Sequence, residues 1–286
     1  DWGDGTVYQY NYSHNNGGGS VMVCGAQAVN TIFRYNISQN DLSGVLNIPG
    51  NPVAYFYNNV FYMKEGVPFI RDSMTGGSAV VENNIIYNAG SEKSENWSKN
   101  SSVTYSNNLY YNYTNTPESD AAAVTDDPKF VNAGSAPTST AGIVSERSAF
   151  DGYKLQDDSP AINAGKVIEN NGGRDFFGNE VTGIPDIGVY ESTVASLVVT
   201  SSVYRVNQET KEIRGLEKDT TVAEFLANLS YDQNCTIQVL TADGQVLAQD
   251  DVVSGGMKVK TSYGSAELVY TIVANNDVSI HDSYYM

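Results

Sequence analysis

Six acids lie in the first 82 residues: Asp1, Asp4, Asp41, Glu65, Asp72 and Glu82. Two carboxyl groups at a fixed separation can cleave a glycosidic bond, one protonating the leaving oxygen and the other acting as nucleophile or base. The spacing is about 5–5.5 Å for retention and about 6.5–9.5 Å for inversion. Asp1 and Asp4 are an odd number of positions apart, so a straight strand sends them to opposite faces. Only a turn at Trp2-Gly3 would bring them together. Asp41 and Glu65 each follow a repeat near a turn and are the better candidates for a shared face. For all four, a solvated turn carboxylate is the plainer role. His14 stands beside Asn15, Asn16 and three glycines, where its ring could bond hydroxyls, orient a carboxylate or cap a turn. Trp2 offers an aromatic face. Arg34 and Arg71 are scarce cations able to donate to a hydroxyl or a carbonyl, with an ion pair to a neighbour such as Asp72 the duller account. The candidates are therefore Asp1, Asp4, Asp41 and Glu65 for catalysis, and Trp2, His14, Asn15, Arg34, Arg71 and Asp72 for binding.

The composition narrows the partners. A net charge of −17 weighs against nucleic acid and anionic membrane surfaces, and makes a polyanionic substrate unfavourable without a cation. The acids are spread along the chain, which reads as solubility. With 20 tyrosines and only 17% charged residues, the chain has the character of extracellular β-rich proteins, and tyrosine suits sugar rings as well as half-buried strands. No run of 18 apolar residues is present to span a membrane. Cys24 and Cys235 are too far apart to form a disulfide framework, and each reads as a buried apolar residue.

These residues are carried on a repeat. VYQYN (7–11), IFRYN (32–36), YFYNN (55–59), VVENN (80–84) and TYSNN (104–108) end on Asn11, Asn36, Asn59, Asn84 and Asn108, in steps of 25, 23, 25 and 24. A period near 24 with short β-type runs marks a solenoid coil. Alternate strand residues point inward and stack into one core, while the recurring asparagines can bond one another from coil to coil. At about 4.8 Å per coil the five coils make a cylinder of roughly 24 Å. A sandwich does not explain one asparagine recurring at one phase. SVMVCG (20–25), SGVLNIPG (43–50) and GVPFIRD (66–72) read as further strands of each coil. The sequons at Asn11, Asn36, Asn96, Asn100, Asn112, Asn228 and Asn234 read as by-products of asparagine-rich composition, two of them on the buried row.

The period breaks after residue 115. DPKF, YKLQDDSPAINAG, RDFFGN and DIGVYE follow in order over 127–191 and resemble the closing segment of secreted bacterial right-handed β-helix proteins, with DIGVYE as a last strand and Asp175 and Asp186 tying down loops. This implies an all-β fold: the C-terminal coils of a right-handed parallel β-helix over 1–192. A small α+β module over 193–286 follows, similar to the accessory modules of surface enzymes. There, TTVAEFLANL (220–229) opens with a capping box and predicts a helix. TIQVLTADGQVLAQ (236–249) predicts a hairpin turning at Asp243-Gly244, and MKVKTS and AELVYTIVA two more strands.

YNYSHNNGGG (10–19) resembles a segment of β-helix glycosidases and lyases, most like the lacto-N-biosidases of glycoside hydrolase family 136. The resemblance covers mainly residues 1–115. It implies a retaining glycoside hydrolase releasing lacto-N-biose from milk or mucin-type oligosaccharides through two aspartates; relatives often carry Asp where Asn15 stands. The rival readings are a non-catalytic glycan-binding or adhesin solenoid and, more remotely, a polysaccharide lyase. A lyase needs a basic groove, and residues 1–115 hold only Arg34, Lys64, Arg71, Lys93 and Lys99. No cofactor is expected and no metal ligands are assigned, a structural Ca2+ being the one ion left open; no D-x-D-x-D-G loop occurs. The expected setting is extracellular or cell-surface in a bacterium. A strand begins within six residues of Asp1, with no capping element to cover the first coil. An N-terminal segment or a second chain is therefore expected to complete the helix.

Overall fold

The computed structural model describes residues 3–71, 76–138, 146–232, 234–263 and 266–274, in two compact units, Asp1–Val194 and Ala195–Met286. The candidates Asp1, Trp2 and Asp72 lie outside the described residues.

The first unit is a parallel β-solenoid. Its strands come in pairs: β1 (Val7–Gln9) with β2 (Tyr12–His14), β3 (Thr31–Arg34) with β4 (Ile37–Gln39), and β5 (Val53–Tyr57) with β6 (Val60–Met63). Next come β7 (Ser78–Glu82) with β8 (Ile85–Asn88), and β9 (Val103–Ser106) with β10 (Leu109–Tyr111). The odd strands stack as one parallel sheet in the order β1-β3-β5-β7-β9, and the even strands as a second, β2-β4-β6-β8-β10. Inward positions are in register, so Phe33, Phe56, Val81 and Tyr105 form one core row and Phe61, Ile86 and Tyr110 another.

A two-residue bend joins each pair. Its first residue, Tyr10, Tyr35, Asn58, Asn83 or Asn107, adopts φ between 48° and 60°, a left-handed conformation that asparagine tolerates well. Its second is the periodic asparagine. Asn11 donates its backbone and side-chain N–H groups to Asn36 Oδ1 at 3.0 and 2.9 Å, and the same pair of bonds links Asn36 to Asn59, Asn59 to Asn84 and Asn84 to Asn108. The expected ladder is therefore present. What ends it was not legible from the repeat: Asp120 Oδ2 accepts Asn108 N at 3.1 Å, Asn108 Nδ2 at 2.9 Å and Tyr110 Oη at 2.9 Å. A stack of donors needs a terminal group that only accepts, and an ionised carboxylate is that group.

The third face departs from expectation. SVMVCG, SGVLNIPG and GVPFIRD form no named strands; Leu46 and Ile70 meet in a single parallel bridge. Pro49 and Pro68 interrupt the second and third of these runs, and proline has no N–H to give a ladder.

The described residues of 127–191 (127–138 and 146–191) lie across the outer side of the second sheet. Phe130, Phe150, Tyr153, Phe176, Ile187 and Val189 are buried against Tyr35, Ile37, Val60, Ile85 and Leu109. DIGVYE is not the expected strand but a strap. Gly188 N donates to Asn83 O at 2.8 Å, and Asn58 Nδ2 donates to the carbonyls of Asp186 and Gly188 at 3.0 and 3.2 Å. Gly188, at φ +103°, presses so closely on Ile85 that a Cβ would meet Ile85 Cδ1 at 2.7 Å.

Among the described residues the second unit is a five-stranded sheet, order β11-β12-β15-β14-β13, with one helix: β11 (Arg205–Asn207), β12 (Glu212–Arg214), α1 (Val222–Ala227), β13 (Thr236–Leu240), β14 (Lys258–Tyr263) and β15 (Ala266–Ile272). The capping box of Thr221 and Glu224 is formed. The hairpin expected over 236–249 shrinks to one bridge, Leu240 to Val246, and β13 pairs instead with β14. The chain leaves the turn because Gln249 O and Asp251 O are drawn to the first amides of α1, Ala223 N and Val222 N.

Candidate functional site

The two sheets present outer faces of different character. On the second, the outward row Ile37, Val60, Ile85 and Leu109 lies wholly beneath the 127–191 segment. On the first, one row reads Val7, Ile32, Tyr55, Val80 and Thr104, and a second Gln9, Arg34, Tyr57, Glu82 and Ser106. Apart from the buried Tyr57, these side chains are half-buried or exposed.

The second of these rows is wired together. Arg34 Nε donates to Gln9 Oε1 at 2.8 Å, and its Nη1 donates to Tyr57 Oη at 3.0 Å and to the carbonyl of Asn170 at 2.8 Å. Glu82 accepts Lys166 Nζ at 2.6 Å. Gly172, at φ +99°, lies over the guanidinium, where a Cβ would meet Arg34 Cζ at 2.8 Å. The result is a flat strip with a fixed cation, a fixed carboxylate and an apolar flank of Ile32, Tyr55 and Val80. Such a mixture of oriented polar groups and apolar surface suits a ring bearing hydroxyls on its edge.

Of the described candidates singled out from the sequence, only Arg34 lies on this strip. Asp4 is exposed, accepting Asn30 Nδ2 at 2.9 Å. Asp41 is 4% exposed and turned inward: it accepts Ser13 Oγ at 2.6 Å, Ser38 Oγ at 2.8 Å, Asn16 N at 2.8 Å and Asn16 Nδ2 at 3.0 Å. Glu65 is exposed in a turn whose backbone rests on Gly90. Asp41 and Glu65 therefore do not share a face, because the serine hydroxyls draw Asp41 into the interior. His14 stacks on Tyr12 at 5.1 Å, and its Nδ1 lies 3.2 Å from Asn15 Nδ2. Asn15 has φ 54° and Asn40, one coil on, 58°, so a left-handed bend accounts for asparagine there. Arg71 reaches across the glycine run to the Gly18 carbonyl at 3.3 Å.

Glu82 is named among the acids but not chosen as a candidate, and Lys166 is not named, although the repeat held the signal for Glu82. Aligned two places before each ladder asparagine, the coils read Gln9, Arg34, Tyr57, Glu82 and Ser106. Lys166 comes from the aperiodic segment and carries no such signal.

The carboxyl groups that do converge lie elsewhere. Asp175 accepts Asn179 N, Asn179 Nδ2 and Glu191 N; Asp186 accepts Asn163 N and Ser192 N; Glu191 accepts Asp186 N. Burial holds both aspartates above the usual carboxylate range against the opposing effect of these bonds. All three serve to lock the closing segment. Among the described residues no group of three or more His, Cys, Asp or Glu side chains could hold a metal ion, and no helix is long and apolar enough to cross a membrane.

No family model matches the chain. One curated protein does, at 43% identity over 262 positions that cover 82% of this chain. It is a lacto-N-biosidase. That enzyme comes from Bifidobacterium longum subsp. longum, and the chain spans about 16% of its length. The similarity thus joins this solenoid to a protein named for an action on oligosaccharides.

Proposed function

We propose that this chain is part of a glycoside hydrolase acting on oligosaccharides, with lacto-N-biosidase activity as the specific reaction. The observation that carries the reading is the 43% identity to a lacto-N-biosidase across 82% of the chain. On this reading the substrate lies along the first sheet. Ile32 and Tyr55 meet the apolar face of a sugar, Arg34 donates to a hydroxyl or acetamido oxygen, and Glu82 supplies a carboxyl group. Its partner carboxyl comes from Asp4, from Asp1 or Asp72, or from an adjoining coil.

The adjoining coil is itself part of the proposal. Asn36, Asn59, Asn84 and Asn108 each accept two hydrogen bonds from the asparagine one coil earlier, whereas among the described residues Asn11 Oδ1 accepts none. Val7 and Tyr8 are 43% and 38% exposed on the same coil. A preceding coil, from the same polypeptide or a second chain, would supply those donors and cover β1 and β2. We place the protein outside the cell or on a bacterial surface, in keeping with its acidic, tyrosine-rich composition.

A second reading, a glycan-binding solenoid without turnover, is favoured by one observation: Glu82 is the only carboxylate in the two outward rows. Product analysis with lacto-N-tetraose, using the chain together with its upstream segment, separates the two. Release of a disaccharide supports the hydrolase; binding with no product from any glycan overturns it. A soluble, monodisperse monomer of this chain alone would sink the completing coil.

A further inference from the structure

The strip on the first sheet is assembled from two parts of the chain. Arg34, Tyr57 and Glu82 come from the repeat and stand in register, so the positions of the cation and the carboxylate are two coils apart, about 10 Å along the axis. The groups that hold them come from the closing segment. Lys166 Nζ meets Glu82 Oε1 at 2.6 Å, and the Asn170 carbonyl accepts Arg34 Nη1 at 2.8 Å. Residues 166–172 therefore run back along the solenoid from the fourth coil to the second, tied to one charged side chain at each end.

The Lys166 end is firmly built. Asn83, the bend residue next to Glu82, is fully buried, and its side-chain amide grips the Lys166 backbone on both sides. Asn83 Oδ1 accepts Lys166 N at 2.7 Å, and Asn83 Nδ2 donates to Lys166 O at 2.7 Å. The two preceding residues are fixed as well. Asn107 Nδ2 donates to Ala164 O at 3.2 Å, Gly165 N donates to Pro185 O at 2.9 Å, and a Cβ on Gly165 would meet Pro185 O at 2.7 Å. The lysine thus reaches Glu82 from a fixed point. Among the described residues its ammonium is the one group that bonds the Glu82 carboxyl, which leaves Oε2 for a ligand. The side chains of Lys166 and Glu82 are 51% and 16% exposed, and an ion pair open to water on one side adds little to stability. What it does fix is direction. An unpaired glutamate turns about its side-chain bonds, and a carboxyl group that must meet one atom of a ligand loses by that freedom.

We propose that Lys166 is a positioning residue of the strip: it holds one oxygen of Glu82 so that the other is presented to the oligosaccharide. The proposal rests on the reading of the first sheet as the substrate face. The closing segment then has two tasks, covering the second sheet and aiming the carboxylate of the first.

Lys166→Met keeps an unbranched side chain and removes its charge, whereas Lys166→Arg keeps the charge. With lacto-N-tetraose, and the chain together with its upstream segment, Lys166→Met is expected to lower kcat about tenfold or more with KM within about threefold of wild type. Lys166→Arg should recover most of that loss. The urea midpoint of both variants should match wild type, since the Asn83 bonds go to the backbone of residue 166. Three results overturn the proposal: Lys166→Met cleaving as wild type does, a loss that Lys166→Arg shares in full, or a loss that follows a fall in urea midpoint. Each leaves the hydrolase standing, because wild type cleaves. A wild type that binds the tetrasaccharide without cleaving it sinks the hydrolase instead, and affinity then judges Lys166. Several-fold weaker binding by Lys166→Met, recovered in Lys166→Arg, supports the positioning role, and equal affinity overturns it. Neither binding nor cleavage by wild type overturns both.

Discussion

The two outer faces of this solenoid are built from the same repeat and have opposite fates. The second sheet turns a row of Ile37, Val60, Ile85 and Leu109 outward, and about sixty residues of closing chain are spent covering it. The first sheet turns out Arg34 and Glu82 among half-exposed apolar residues and keeps them apart with side-chain bonds instead. A continuous apolar row is stable only under cover, since its transfer from water is the main gain on folding. A row with a fixed cation and anion can stay wet and meet a ligand. The difference teaches where to look: the covered face holds the fold, and the open one is the face along which the proposed substrate would lie.

The sharpest test of that division is a matched pair. Ile85→Ala, beneath the strap, should cost about 2–5 kcal/mol. Val80→Ala, outward on the preceding strand, should cost less than about 1 kcal/mol, as its side chain is only half-buried. Equal losses in urea unfolding would break the comparison. Gly188→Ala comes next. Its φ of +103° and its contact with Ile85 predict a loss of about 1–3 kcal/mol, seen as faster proteolysis within 127–191 before the coils open. Arg34→Ala should act in the reverse sense. Stability should change by less than about 1 kcal/mol, while oligosaccharide binding or turnover falls about tenfold, equivalent to about 1.4 kcal/mol. A large stability loss with unchanged binding would make the first face structural too.

The smallest effect concerns pH. Burial raises the Asp186 carboxyl above its ordinary range, so the folded chain holds that proton more tightly than the unfolded chain. The resulting stability is present below the ordinary carboxylate pKa of about 4 and is lost as pH rises through the folded value. The advantage of wild type over Asp186→Asn in urea midpoint should therefore shrink as pH rises from about 4. A constant difference would show that the hydrogen bonds from Asn163 and Ser192 offset burial, and a growing one that they outweigh it.

Much of the fold is legible because a period needs no tertiary knowledge. The steps between Asn11, Asn36, Asn59, Asn84 and Asn108 alone imply stacked coils, and Thr221 with Glu224 announces α1 locally. The row of Gln9, Arg34, Tyr57 and Glu82 was equally present in the repeat, but selecting acids by their nearness to turns passed over it. Asp41 shows why: it sits near a turn, yet two serine hydroxyls from adjacent coils pull it inward. Whether a carboxylate faces water or core depends on such partners, and they lie 28 and 3 residues away in the chain.

The sequence by itself determined the solenoid, its bends, its amide ladder and the capped helix of the second unit, because each is a regular or short-range pattern. Only the tertiary structure decided that Asp120 ends the ladder, that DIGVYE is a strap rather than a strand, and that Lys166 meets Glu82. Those contacts join an aperiodic segment to a periodic one across 12 to more than 100 residues, and no spacing rule links such positions until the chain has folded.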